Sequence, residues 1–249
     1  MVDESHRSRA RSFGSLAAGY AAHRPDYPAD GIRWALGGAT RPVRSVLDLA
    51  AGTGKLTEGL LPLGYEITAV EPDDAMRAVL SRRFPSVRAL AGTAEAIPLA
   101  AGSVDAVLVG QAFHWFDPGR ALDEIGRVLR PGGVAGLLWN GEDSNVPWVA
   151  GLLEIAGTSV TRPVPGRFEL PPHPGFGLAE VARFPHTLRR TVASLAETFG
   201  THSRMIVISG EERAAVLARI RSYLAGRPET RGGEFDLPLT TKVVRARLG

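Results

Sequence analysis

The sequence predicts an α/β fold, a doubly wound and mostly parallel sheet with helices packed on both faces. Three observations carry that prediction. Five short segments, "SVLDLA" (45–50), "YEITAVE" (65–71), "VRALAG" (87–92), "VDAVLVG" (104–110) and "GVAGLLW" (133–139), are apolar almost throughout, as strands covered on both faces are. Amphipathic helical patterns fill intervals between them. A two-glycine turn joins the first strand directly to a helical pattern, the order expected of a right-handed βαβ unit.

In chain order, "FGSLAAGYAAHRPDYP" (13–28) places Phe13, Ala17 and Tyr20 at helical intervals. Pro25 and Pro28 then bias Arg24 and Tyr27 toward extended backbone, a stiff elbow before the first strand. Met76, Val79, Leu80 and Phe84 form a helical stripe between the second and third strands. Leu122, Ile125, Val128 and Leu129 form another before the fifth, stopped by "RPGG" (130–133). Beyond residue 139 the pattern is less regular. "VPWVAGLLEIAG" (146–157) is helical, and the Pro/Gly-rich 161–177 reads as a loop or lid. "EVARFPHTLRRT" (180–191) reads as a strand interrupted near Pro185. Residues 209–226 form a helix with Ser209 as N-cap, and 235–248 a last strand, for seven strands in all. The organisation expected is a single domain: a tail and lid segment (1–30), a core (31–140), helices and loops with one sheet strand (141–234), and the final strand (235–249).

Composition narrows the function classes. A chain of 249 residues with 44% hydrophobic content can bury a sizeable core. With no cysteine, disulfides and thiolate metal sites are excluded. Neither an apolar signal core near the start nor a membrane-spanning run is visible, so a cytoplasmic protein is expected. The formal charge is +3, and all but Lys55 and Lys242 of the 29 basic residues are arginine, against 26 acids. That balance is a weak signal for nucleic acid, which calls for a basic face interleaved with aromatics. Arg7, Arg9 and Arg11 lie in a Ser-rich start that reads as a frayed tail. His23, His173, His186 and His202 lack ligand spacing, so no metal is expected.

The turn in "SVLDLAAGTGKLTEGL" (45–60) is the first functional signal. A phosphate loop needs G-x-x-x-x-G-K-[ST], but Leu49 stands at its first glycine and Leu56 follows Lys55. A dinucleotide fingerprint needs G-x-G-x-x-G; Gly52 and Gly54 fit, and Thr57 does not. Glu71 closes the second strand, where an acid can accept hydrogen bonds from both hydroxyls of a ribose. The pattern asks for a nucleoside with no clear place for a pyrophosphate. Taken singly, Asp48 could cap the turn, Glu71 could be a strand-end acid and Gln111 a surface residue. Together they fall at carboxyl ends of successive parallel strands, the crevice where such sheets bind ligands.

"VLDLAAGTGKLT", "VEPDDAM", "GTAEAIPL", "VDAVLVGQAFHWFD" and "RVLRPGG" resemble, in order and spacing, the motifs of class I S-adenosylmethionine-dependent methyltransferases. "RPDYP" with "QAFHWFD" resembles the small-molecule branch that includes trans-aconitate methyltransferase-like proteins. The resemblance implies a Rossmann-like seven-stranded methyltransferase sheet, with an N-terminal lid helix and an acceptor-side insert. It implies S-adenosylmethionine as cofactor and S-adenosylhomocysteine as product. Asp48 would lie near the cofactor's amino group, the backbone of Ala50, Gly52 and Gly54 close beside it, and Glu71 on the ribose. Pro72 and Met76 would lie against the adenine, Thr93, Ala94 and Glu95 along its edge, and Gln111 by the methionine side. Tyr20 and Arg24 would reach its carboxylate from the lid, the guanidinium fork matching a carboxylate bidentately. Ala50 stands where glycine is usual and Thr93 where many relatives carry Asp.

On the acceptor side the resemblance points to His114 and Trp115, against the alternative that Phe113, Trp115 and Phe116 are packing aromatics and His114 their polar neighbour. The activity implied is methyl transfer to a small molecule, on a carboxylate or other oxygen, or on carbon. A nicotinamide dehydrogenase would lack an explanation for "GTAEAIPL" and "QAFHWF". An amino-methylating nucleic-acid enzyme would carry [DN]-P-P-[YFW] where "GQAFHW" stands. A non-catalytic cofactor-binding protein is the remaining alternative. No membrane partner is expected.

Overall fold

The computed structural model describes residues 25–157, 169–200, 205 and 208–249. The first-half elements alternate as the pattern requires: α1 (Ala29–Leu36), β1 (Ser45–Leu49), α2 (Lys55–Leu60), β2 (Glu66–Val70), α3 (Asp74–Arg83), β3 (Arg88–Leu90), β4 (Val104–Gly110), α4 (Pro118–Val128) and β5 (Leu129–Glu142). After them come α5 (Pro147–Ala156), β6 (Glu180–Thr191), α6 (Val192–Gly200), α7 (Gly210–Ala225) and β7 (Glu234–Arg247). The seven strands form one sheet in the order β3-β2-β1-β4-β5-β7-β6. β1 pairs in parallel with β2 and β4, β2 with β3, and β4 with β5. Strand order reverses between β1 and β4, the switch point at which open parallel sheets bind ligands.

The chain divides into two compact units, the first Met1–Asn140, Gly166–Phe184 and Thr241–Gly249, the second Gly141–Pro165 and Pro185–Thr240. In the first, alternate residues of the same strands feed two cores. Leu47, Leu49, Val107, Val109 and Leu137 pack with Leu122, Ile125 and Val128 of α4. Val46, Ala106, Leu108, Val134 and Leu138 pack with Ile32, Leu56, Leu60 and Leu80 of α1, α2 and α3. This is why the strands read as unbroken apolar runs, each fully buried leucine contributing roughly 1.5–3 kcal/mol. In the second unit, Trp148 and Leu152 of α5, Leu195 and Phe199 of α6, and Ile220 and Leu224 of α7 pack with Phe235, Leu237 and Leu239 of β7. Tyr223 Oη donates to the Trp148 carbonyl at 2.9 Å.

Several local expectations change. β6 runs unbroken through Pro185 because it is the last strand in the order, where a missing N–H can face away from the sheet. The fourth helix ends at Val128, so Leu129 begins a strand, and "RPGG" lies inside β5 at a register shift opposite Val104/Ala106. Gly132 there has φ +74°. Helices α1 and α6 carry no pattern recognised in the sequence. Ser209 does cap α7, its Oγ accepting from Glu212 N–H at 3.1 Å.

Candidate functional site

The site is built on the carboxyl ends of β1, β2, β4 and β5. Past β1 the chain turns through Ala50 (φ +55°), Gly52 (φ +58°) and Gly54 (φ +87°) into α2. A left-handed alanine costs about 1–2 kcal/mol. Across the switch point, Gln111 at the end of β4 holds φ +57°. These two are the only non-glycine residues with positive φ among the described residues, and strain of this kind gathers at functional sites. Gln111 is fixed by its N–H to the Leu138 carbonyl (2.9 Å) and by Nε2 to the Asn140 carbonyl (2.9 Å). Gly54 also has a packing reason that the motif does not suggest. A Cβ there would lie 2.7 Å from Phe84 Cε2, so this glycine admits the aromatic ring that ends α3.

Asp48 is 1% exposed. One carboxyl oxygen accepts from Thr57 Oγ1 at 2.5 Å, and the other, Oδ1, is buried with no hydrogen-bond partner among the described residues. Burial pushes this carboxyl up to about 7, a rise only partly opposed by the bonds from Thr57 and reinforced by nearby Glu71. Glu71, just past β2, is also buried. Its two oxygens accept the backbone N–H groups of Gly52 (2.8 Å) and Asp73 (2.9 Å). Burial raises its pKa as well, against those two bonds. Two of about four acceptor positions on that carboxylate are thus used. Arg77 Nη1 donates to the Glu71 carbonyl (2.9 Å) and Arg83 Nη1 to the Thr53 carbonyl (2.8 Å), so α3 holds both loops in place.

Around this centre, Pro72 is exposed, and Met76 is buried with its sulfur 3.9 Å from where a Gly52 Cβ would stand. Asp73 caps α3 by accepting from Met76 N–H. Thr93 is exposed, Ala94 is buried, and Glu95 is half-buried with Oε1 accepting from Asp117 N–H at 2.9 Å. His114 and Trp115 lie on a 3-10 turn (Phe113–Trp115), their rings 4.8 Å apart. The aromatic cluster divides there: Phe113 and Phe116 join the core on the α4 face, while His114 and Trp115 are half-buried outside it. Tyr20 and Arg24 lie outside the described residues.

Three features are not anticipated by the motifs. Tyr27 is buried against Gly110, where an added Cβ would lie 2.5 Å from its hydroxyl oxygen. Asn140, near the end of β5, donates from Nδ2 to the carbonyls of Pro25 (3.3 Å) and Asp26 (3.1 Å), and its Oδ1 accepts from Thr241 Oγ1. Lys55 pairs with Asp26 at 2.6 Å. The Pro25–Pro28 elbow is therefore tied to β5 and to α2. Its Pro25 and Tyr27 line one crevice together with Asp48, Gly52, Gln111 and Asn140. Asn140 could have been found by the rule that singles out Asp48 and Gln111, a polar residue ending an apolar strand.

Comparison with known proteins bears on this arrangement. The methyltransferase domain family matches residues 47–137, the stretch that contains the glycine turn, Glu71 and Gln111. An uncharacterised methyltransferase of Mycobacterium tuberculosis is 42% identical over 98% of each chain. An uncharacterised methyltransferase-like protein of Schizosaccharomyces pombe is 37% identical over 84% of each. A solved structure assigned as a type II methyltransferase from Anaeromyxobacter dehalogenans superposes with a TM-score of 0.68 at 27% identity, covering 90% of this chain and 97% of that one. With a doubly wound seven-stranded sheet and relatives matched along nearly its whole length, the chain belongs to the methyltransferase family.

Proposed function

We propose that this methyltransferase uses S-adenosylmethionine, held at the carboxyl ends of β1, β2 and β4, and methylates a small molecule. The observation that carries the reading is the buried Oδ1 of Asp48, without a partner among the described residues. A cationic amino group is the partner that a carboxyl in this state lacks. The remaining residues fit the same cofactor. Glu71 keeps acceptor positions for the two ribose hydroxyls. Pro72, Met76 and Ala94 offer apolar surface to an adenine, with Thr93 and Glu95 at its edge. The left-handed turns at Ala50 and Gly52 bring backbone close to the ligand, and the Gln111 side-chain oxygen stays available beside it.

When bound, the cofactor supplies a methyl group already activated by its sulfonium. The chain's work is then to hold the acceptor in line and exclude water. We assign that side to His114 and Trp115, which the core leaves half-buried. His114 serves as base where the acceptor gives up an O–H or C–H proton; a carboxylate acceptor needs none. Trp115→Ala should abolish turnover while leaving S-adenosylhomocysteine affinity within about twofold; equal loss of both would make Trp115 a packing residue. The broader test is transfer of label from [methyl-³H]S-adenosylmethionine to pooled metabolites, DNA and RNA. Label in the metabolite fraction supports the proposal. Label in nucleic acid overturns the small-molecule assignment, and binding without transfer overturns catalysis.

A further inference from the structure

At the opposite end of the strands, the amino ends of β1, β2, β3 and β4 and the start of β5 frame a cleft of about 500 Å³. That volume is in the range of small-ligand sites. Four guanidinium groups line it, Arg41 and Arg44 from the segment before β1, Arg88 from β3 and Arg130 from β5, against two carboxylates, Asp105 and Glu66. Asp105 has no capacity left for the others. It accepts the N–H groups of Arg44 and Ser45 and the Ser45 hydroxyl, all at 3.0 Å, and pairs with Arg41 at 3.1 Å and Arg130 at 3.0 Å. Among the described residues, Glu66 forms no ion pair, and neither does the side chain of Arg44 or Arg88. Four positive charges thus face two negative ones. The Ser103 hydroxyl, also in the lining, is buried without a partner among the described residues.

We propose that this cleft binds a small ligand bearing a phosphate ester or pyrophosphate, with Arg44 and Arg88 as its principal cations and the Ser103 hydroxyl as a donor. Guanidinium forks converging from separate elements match the tetrahedral array of phosphate oxygens, whereas a planar carboxylate satisfies one fork. Among the described residues no aromatic side chain lines the cleft, so these supply none of the stacking platforms by which single-stranded nucleic acid is held. The site stands apart from the proposed cofactor crevice and does not depend on it.

The test is calorimetric titration of the full chain with inorganic pyrophosphate, with and without S-adenosylhomocysteine. Saturable binding is expected, unaffected by S-adenosylhomocysteine and weakened by 0.5 M salt. Arg44→Ala/Arg88→Ala should weaken it about tenfold or more. Neither side chain makes an ion pair among the described residues, so an unchanged melting curve is expected alongside. Arg219→Ala/Arg221→Ala, at exposed positions of α7, should bind as the parent does. Absence of saturable binding, equal loss in both double variants, competition by S-adenosylhomocysteine, or tighter binding of a single-stranded RNA than of pyrophosphate would each overturn the proposal.

Discussion

The two ends of the parallel sheet each bury an aspartate, and the pair are in opposite states. Asp48, at the carboxyl end of β1, is 1% exposed; Asp105, near the amino end of the adjacent β4, is 3% exposed. Burial alone would raise both. At Asp105 the backbone N–H groups of Ser45 and Arg44, with the Arg130 and Ser45 side chains, overcome that penalty and hold the carboxyl at about 2. At Asp48 only Thr57 donates among the described residues, and the carboxyl rises to about 7. Degree of burial therefore says little about role. What separates a carboxylate that ties strands together from one left with an open acceptor position is how many donors the fold already supplies.

The largest effect that would break this comparison is at Asp105. Asp105→Ala strands two backbone N–H groups and releases two arginines, and should cost roughly 3 kcal/mol in chemical denaturation. Its S-adenosylhomocysteine affinity, measured on the folded fraction, should be unchanged. A loss below about 0.5 kcal/mol would deny the structural role.

Next in size is Glu71, which lies between the two extremes because it is partly satisfied. Glu71→Ala should weaken S-adenosylhomocysteine by about tenfold to a hundredfold, the worth of hydrogen bonds to a charged group. Because the Gly52 and Asp73 N–H groups lose their acceptor, it should also lower stability by about 1–2 kcal/mol. Calorimetry showing full affinity would remove Glu71 from the site.

A smaller, local effect sharpens the account of the elbow. Asn140→Asp keeps the shape but replaces the donor to the Pro25 and Asp26 carbonyls with an acceptor. Hydrogen exchange in a peptide spanning 25–36 should accelerate while strands β1 and β4 stay protected. Uniform protection throughout would mean the contact contributes nothing to holding the elbow.

What is legible in the sequence follows the same division. Asp48, Glu71 and Gln111 can be found because each ends an apolar run, and strand ends in an open parallel sheet converge on one crevice. The glycines stand out by spacing, yet the packing of Phe84 against Gly54 does not, since Phe84 lies 30 positions along the chain. Asn140 meets the Pro25 and Asp26 carbonyls through contacts that span more than a hundred residues, and no local pattern announces such a pairing. The continuity of β6 through Pro185 likewise depends on its being an edge strand, a property of the sheet rather than of the segment. Which oxygens of Asp48 and Asp105 are occupied is a tertiary property as well, and only the fold shows how many donors each acid meets.

The protonation of Asp48 tests the central claim most directly. Its folded pKa of about 7 lies above the ordinary value of 3.8. The folded chain therefore holds a proton that the unfolded chain releases between those limits. Stability from this group is full below about pH 4 and is lost as pH rises through 7, so Asp48→Asn should stabilise the ligand-free protein at pH 8 and not at pH 4. If the cofactor's ammonium group meets Oδ1, binding favours the ionised carboxyl. At pH 6, calorimetry of S-adenosylhomocysteine in buffers of different ionisation enthalpy should then show release approaching one proton per site. Affinity should rise about tenfold per pH unit up to 7 and flatten above it. Asp48→Asn should bind more weakly and release none. Binding without proton release by the parent chain, or the same release by the variant, would contradict the account.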